Sequence, residues 1–146
     1  MSLAEFLLAL GISLALMVST LWLHYQVLRF SSDHLADLPL RNRAKIMAVV
    51  FSSFIGHMLE IGLFALAYYF LVGYTDLGQF SKPYALDAGN LFYFSTVSFS
   101  TLGMSPVQME GPLKIVVGLE ALNGFLLITW SASHTYTIMQ ELWGHA

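Results

Sequence analysis

The chain has 146 residues, of which 57% are hydrophobic and 10% are charged, and its formal net charge is −3. Soluble domains carry about 25% charged residues, so this composition excludes an ordinary soluble protein. It predicts an integral membrane protein with three or four spans of ~20 residues. The chain has no basic tract, which argues against nucleic acid as a partner. The absence of cysteine excludes disulfides, thiolate metal sites and cysteine nucleophiles.

Three apolar segments predict spanning helices. The first lies within residues 1–30 and contains 18 consecutive residues without an ionisable side chain, which meets the length expected of a transmembrane helix. The second covers residues 46–73 and the third residues 112–136, and each carries only a few ionisable residues. No internal sequence repeat stands out, which disfavours an inverted-repeat transporter.

The distribution of basic residues predicts the orientation. Four of the six lie in or beside the link between the first two spans, residues 31–45; they are Arg29, Arg41, Arg43 and Lys45. The positive-inside rule assigns this link to the cytoplasm. The N-terminus is then outside, and the tail of residues 137–146 is in the cytoplasm. The first span carries no chemical motif, and we expect it to pack outside the second span as a scaffold.

The segment before the third span, residues 74–100, contains one short aromatic and β-branched run, Leu91 to Phe99. A short apolar helix that is followed by Ser, Thr and Gly and then by a spanning helix is typical of a re-entrant loop. Such a loop is tolerated at membrane depth only where protein or water surrounds it. Asp87 or Asn90 would cap the start of this helix. Its other end would direct a negative helix dipole toward the membrane centre, which favours a cation.

Residues 91–103, with the sequence LFYFSTVSFSTLG, resemble the pore region of the tetrameric potassium-channel superfamily. In that family an aromatic pore helix leads into a Thr-Val-Gly-Tyr-Gly filter. Thr101, Leu102 and Gly103 match the first three filter positions, with Leu in place of Val. Gly124 matches the glycine often found in the inner helix. The segments Glu120-Ala-Leu-Asn-Gly124 and Thr129-Trp-Ser-Ala132 are also similar to bacterial members.

The resemblance implies an all-α integral membrane fold with three transmembrane helices, a re-entrant pore helix and a filter loop in each chain. Residues 46–136 would form the pore domain of a homotetramer around a central pore, with the filter at residues 101–105. The implied function is that of a passive cation channel in the bacterial inner membrane, with potassium, and also sodium, as permeating ions. We expect no cofactor, no transition-metal site and no partner other than further copies of the chain and the lipid bilayer.

Four residues would supply the filter atoms that replace the water around an ion; they are Thr101, Leu102, Gly103 and Met104. Beyond them the sequence departs from the family, because Met104-Ser105-Pro106 stands where the family has Tyr-Gly-Asp. The loss of the tyrosine removes a brace of the outer filter, and Pro106 pushes Ser105 toward extended backbone. We therefore expect altered and weakened potassium selectivity. The predicted outer mouth comprises Ser105, Pro106 and Glu110.

Glu120 is the buried carboxyl expected to act on the filter. Its estimated depth is about level with the re-entrant helix, so we expect it to lie behind the filter and to accept hydrogen bonds from hydroxyls such as Ser95, Thr96 or Ser98. It would stiffen the filter and make it sensitive to pH. Ser98 and Gly124 complete the residues predicted to support or gate the filter, with Gly124 either a bend or a packing contact.

His57 and Glu60 form an intramembrane pair, because their i, i+3 spacing gives them one helix face. Charge at this depth is costly, so they should be paired or neutral. A metal or haem site is the alternative, with His24, His57 and His134 as haem ligands, although the estimated depths match only for His24 and His134. No nucleophile, phosphate loop or triad suggests an enzyme. Besides a channel, two function classes stay open: a non-conducting channel-like subunit and a His/Glu metal or redox protein.

Overall fold

The computed structural model describes residues 2–35, 39–105 and 107–143. Its elements in chain order are α1 (Leu3–Phe30), α2 (Asn42–Tyr74), β1 (Gln79–Phe80), α3 (Ala88–Phe99), β2 (Met109–Glu110) and α4 (Leu113–Trp143). A π-helical turn, Ser31–Leu35, continues α1. Pro106, which was predicted at the outer mouth, lies outside the described residues.

Three of these helices, α1, α2 and α4, are long and apolar enough to cross a membrane. They contain 28, 33 and 31 residues, which corresponds to about 42 to 50 Å at 1.5 Å per residue. All three predicted spans are therefore helical, and each helix continues past the apolar run that predicted it. Because the hydrocarbon core of a bilayer is only ~30 Å thick, the helix ends reach into the interfacial regions.

Local side chains determine where α1 and α3 begin. The hydroxyl of Ser2 accepts a hydrogen bond from the N–H of Glu5 (3.2 Å), and the Glu5 carboxylate accepts one from the N–H of Ser2 (2.7 Å). This is a capping box, which satisfies two otherwise unpaired donors at the start of α1. α3 begins after Asp87, whose carboxylate accepts from the N–H of Asn90 (2.9 Å). Of the two predicted caps, Asp87 is the one that the fold uses.

The hydrophobic core surrounds α3, which packs between α2 and α4. The ring of Phe94 on α3 lies edge-on to Tyr68 of α2 and to Phe80 of β1, with centroids 5.3 and 5.0 Å apart. Leu113 and Val116 of α4 are fully buried beside them. With 12 residues, α3 is about 18 Å long, so it is too short to cross a bilayer by itself.

One antiparallel strand pair departs from the all-α expectation. β1 pairs with β2, and Gln79 lies opposite Glu110. Two glycines permit this close approach: a Cβ on Gly78 would stand 2.4 Å from the carbonyl oxygen of Glu110, and Gly111 has φ +76°. Two-residue strands leave no periodic pattern, which is why the sequence did not predict them. The pair ties together the beginning and the end of the segment that connects α2 to α4.

Candidate functional site

The predicted filter segment begins where α3 ends in a Schellman motif. The N–H of Leu102 donates to the carbonyl of Val97 (3.2 Å), and the N–H of Thr101 donates to the carbonyl of Ser98 (3.0 Å). This motif requires left-handed backbone at its turning residue, usually glycine, but Thr101 occupies it with φ +59°. A non-glycine residue there is strained by about 1–2 kcal/mol. The next positive φ, +66°, belongs to Gly103.

The last carbonyls of α3 take part in contacts at the end of the helix. The carbonyl of Ser98 accepts the bond from Thr101 within the Schellman motif. The carbonyl of Phe99 packs against Gly124 on α4.

The side chains of the predicted filter project from the surface of the single chain. Leu102 and Met104 are 62% and 73% exposed although both are apolar, and Thr101 and Gly103 are exposed too. Ser105 is half-buried, and its hydroxyl accepts a hydrogen bond from the backbone N–H two residues on (3.3 Å). A cavity of about 390 Å³ lies beside the segment, between the end of α3 and the first turns of α4.

Gly124 is a close contact between α4 and the end of α3. A Cβ at this position would stand 2.0 Å from the carbonyl oxygen of Phe99 and 2.8 Å from its carbonyl carbon. α4 continues unbroken through Gly124 to Trp143, so this structure favours the packing contact over the bend. Ser98, also predicted to support the filter, donates its hydroxyl to the carbonyl of Phe94 in its own helix (2.9 Å).

Glu120 joins three helices through its two carboxylate oxygens. The hydroxyl of Ser95 on α3 lies 2.5 Å from Oε1, and the hydroxyl of Tyr68 on α2 donates to Oε2 at 2.5 Å. All three side chains are fully buried. The expected hydrogen bond from a hydroxyl of the short helix is present, from Ser95. The bond from Tyr68 was not predicted, because a tyrosine near the end of an apolar run is typical of an interfacial aromatic belt.

His57 and Glu60 contact each other, and a third side chain joins them from α1. Nδ1 of His57 lies 2.9 Å from Oε2 of Glu60, and Nδ1 of His24 lies 2.8 Å from Oε1. The hydroxyl of Ser131 on α4 lies 3.3 Å from Nε2 of His24 and 3.2 Å from Nε2 of His57. The depth estimate that separated His24 from His57 was therefore wrong. The estimate placed the end of the first helix too early, because helical structure continues through residue 35. His24 therefore lies deeper than expected, level with His57.

The geometry of this cluster argues against the haem alternative. The rings of His24 and His57 stack with centroids 5.2 Å apart and planes 26° apart, which leaves no space for a haem between them. His134 is not part of the cluster, and its buried Nε2 has no hydrogen-bond partner among the residues that the structure describes. One ligand atom from each of His24, His57 and Glu60 lies within 4.8 Å of the others. Each Nδ1 is, however, already paired with a carboxylate oxygen.

A family model described as "Ion channel" matches residues 45–141, which extend from the first turn of α2 almost to the end of α4. The chain belongs to this ion-channel family. Comparisons with curated proteins and with solved structures gave no match. Its family membership and its three long apolar helices identify the chain as a membrane protein, as the composition predicted.

The matched region excludes α1, yet α1 is bound to it by polar contacts. The amide of Asn123 on α4 donates to the hydroxyl of Thr20 (2.9 Å), and both side chains are fully buried. With His24 on the next turn, α1 contributes to two intramembrane contacts of the channel fold. These contacts were not predicted from the sequence. Single polar residues in an apolar run give no sequence signal until their partners are known.

Glu110 and the residues beside it bound the other end of the filter segment. Glu110 is exposed in β2, opposite Gln79 of β1. The strand pair anchors this end of the segment, and the Schellman motif anchors the end at α3. Between the two anchors, the residues from Gly103 to Ser105 make no backbone-to-backbone hydrogen bond with the other described parts of the chain, unlike Thr101 and Leu102.

Proposed function

We propose that the protein is a passive cation channel in which four copies surround one axis with residues 101–104. The observation that carries the proposal is an exposed segment with positive φ at Thr101 and Gly103, directly after a short helix in a chain of the ion-channel family. A filter needs a ring of backbone oxygens to replace the water around an ion. One chain supplies a single strand of such a ring, so conduction requires a homotetramer.

The contacts behind the segment support this assignment. Strained backbone persists only where surrounding structure holds it, and Thr101 is held by the Schellman motif and by the contact of Phe99 with Gly124. Glu120 joins α3 to α2 and α4, which would fix the short helix in place during conduction. The exposed apolar side chains of Leu102 and Met104 would be covered by neighbouring copies.

The proposed selectivity follows from the departure after Gly103. Without the tyrosine and second glycine of the potassium-channel filter, the outer ion sites of the channel would be rebuilt or widened, and potassium would be less strongly preferred to sodium. Glu110 would raise the cation concentration at the outer mouth, as acidic rings do. The proposed setting is a bacterial inner membrane, with the basic link of residues 31–45 and the C-terminus in the cytoplasm.

Cation flux into liposomes tests the proposal. We expect the reconstituted protein to pass both potassium and sodium, and Thr101→Ala to reduce flux by about tenfold, the effect of ~1.4 kcal/mol of ion-binding free energy. Thr96→Ala is the matched control, because the Thr96 hydroxyl donates to the carbonyl of Phe92 in its own helix (2.7 Å). Native mass spectrometry should detect four copies.

The same assay distinguishes a channel from a non-conducting subunit. The triple variant Met104→Tyr, Ser105→Gly, Pro106→Asp restores the residues that the family has after the first filter glycine, and we expect it to prefer potassium more strongly than the wild type does. Absence of flux from both proteins would reject the channel and favour a non-conducting subunit. A strong potassium preference in the wild type would reject the weakened selectivity alone.

A further inference from the structure

Four polar side chains from the three long helices form a closed ring of contacts. On one side, Nδ1 of His24 and Nδ1 of His57 lie 2.8 and 2.9 Å from the two carboxylate oxygens of Glu60. On the other side, the Nε2 atoms of both imidazoles lie 3.3 and 3.2 Å from Oγ of Ser131. His24 and Glu60 are fully buried, and Ser131 is 7% exposed. We call these four side chains the histidine ring.

Counting protons shows what the histidine ring lacks. Each of its four contacts joins two atoms that carry lone pairs, so each needs one proton to be a hydrogen bond. An ionised carboxylate brings none, two neutral imidazoles bring one each, and the serine hydroxyl brings one. Three protons cannot satisfy four contacts. We infer that the histidine ring is a binding site for one additional proton, which completes the fourth hydrogen bond and makes the net charge of the ring zero.

The additional proton completes the four hydrogen bonds whether it is bound to the carboxyl or to an imidazole. On the carboxyl, it lets Glu60 donate to one imidazole, which donates to Ser131; Ser131 then donates to the other imidazole, which donates back to Glu60. On an imidazole, it makes that group a donor to both Glu60 and Ser131. All four bonds are made and the net charge is zero in either case. Loss of the proton leaves one negative charge buried among the helices, which is costly.

The surroundings of the histidine ring add little charge of their own. Trp130 on α4 lies against His24 (centroids 5.4 Å apart), and Phe99 at the end of α3 lies against His57 (5.8 Å). A further titratable group on α4 is His134, three residues from Ser131 and therefore on the same side of the helix. Arg29 and Asp33, on α1 and its continuation, are exposed and pair with each other (3.3 Å).

A proton fits this site better than a metal ion does. A divalent cation with one carboxylate would leave a buried net charge of +1, whereas the additional proton leaves none. The nitrogen–oxygen distances of 2.8 and 2.9 Å are those of direct hydrogen bonds. A metal would also need a further ligand to complete four-coordination, and the cluster brings together three metal-ligating side chains among the described residues.

Stability measured against pH tests the inference and does not depend on conduction. Above about pH 7.5 the unfolded chain has neutral histidines and ionised carboxylates, so a native state with one more proton loses stability as pH rises. Linkage then predicts that this one proton contributes a tenfold rise in the unfolding equilibrium constant per pH unit, measured between pH 7.5 and 9 by reversible unfolding in mixed micelles. Because the buried carboxyl of Glu120 adds a pH dependence of its own, the quantity compared is the difference in slope between variants. Glu60→Gln should lower the slope by one proton, because its amide donates to one imidazole and accepts from the other without a titrating proton. His34→Asn, at an exposed histidine, should keep the wild-type slope.

Two measurements on the wild type keep the test decisive if Glu60→Gln does not fold. Magnetic resonance of ¹⁵N-histidine and ¹³C-glutamate in lipid at pH 7.5 should count three protons on the two imidazoles and the carboxyl of Glu60. A count of two, or equal slopes in the wild type and Glu60→Gln, would overturn the inference. One equivalent of a transition metal per chain, lost in His57→Ala, would also overturn it in favour of a metal site.

Discussion

Replacing Gly124 by alanine tests directly how α4 packs against the end of α3. The new Cβ would stand 2.0 Å from the carbonyl oxygen of Phe99, whereas ordinary contact begins at 3.4 Å, so the two backbones must separate by about 1.4 Å. Overpacking of this kind costs about 1–3 kcal/mol, and backbone neighbours yield less than the ends of side chains. The separation also displaces Phe99, which lies within the Schellman motif, two residues before the strained Thr101.

Gly118 provides the matched control on the same helix. A Cβ there meets nothing within 4 Å, so Gly118→Ala should gain about 0.5–1 kcal/mol from reduced backbone freedom in the unfolded chain. We expect the two alanine variants to differ by about 3 kcal/mol in the free energy of unfolding, measured by reversible unfolding in mixed micelles with tryptophan fluorescence. Equal stability of the two variants would refute the close contact. A loss of flux in Gly124→Ala at a temperature where it is fully folded would show that the contact also holds the filter.

Three further predictions concern single contacts. Ser95→Ala should destabilise the protein by about 1.5–3 kcal/mol, because it removes a hydrogen bond to the buried carboxyl of Glu120; chemical unfolding measures this, and no change would contradict it. Thr101→Gly should stabilise the fold by about 0.5–1 kcal/mol, because the relief of left-handed strain, about 1–2 kcal/mol, exceeds the cost of the backbone freedom that glycine adds to the unfolded chain; lower stability would disprove the strain. For Thr20→Val and Asn123→Leu, a double-mutant cycle should give a coupling of about 0.6 kcal/mol, typical of hydrogen bonds within membranes, and zero coupling would show that this bond contributes nothing.

Hydropathy and capping residues predicted the helices of this fold. The three long helices follow from their apolar runs, and α3 follows from a short aromatic run behind the Asp87 cap. Hydropathy does not detect polar helix ends, so α2 and α4 extend past the expected bounds of residues 46–73 and 112–136. The contact of Ser95 with Glu120 could be anticipated because both lie at similar estimated depths in adjacent helices.

Contacts that depend on helix register could not be predicted. Counting 1.5 Å per residue gives a depth only if both ends of each helix are known. The helical structure of α1 continues through residue 35, so His24 lies further from the end of its helix than the apolar run indicated. The role of Gly124 as a packing contact depends on where the end of α3 lies against α4, which no periodicity encodes. Tyr68 shows the same limit: composition assigns a tyrosine near a helix end to an interface, and only packing reveals that it is buried.

The polar contacts of α1 have a consequence for any attempt to define a minimal unit of this protein. A fragment that starts at α2 would contain the whole region matched by the ion-channel family, yet it would leave the amide of Asn123 and one oxygen of Glu60 facing lipid without their partners. Lipid offers neither group a hydrogen bond. Such a fragment should therefore insert poorly or recruit a substitute helix, and supplying α1 as a separate peptide should restore its assembly.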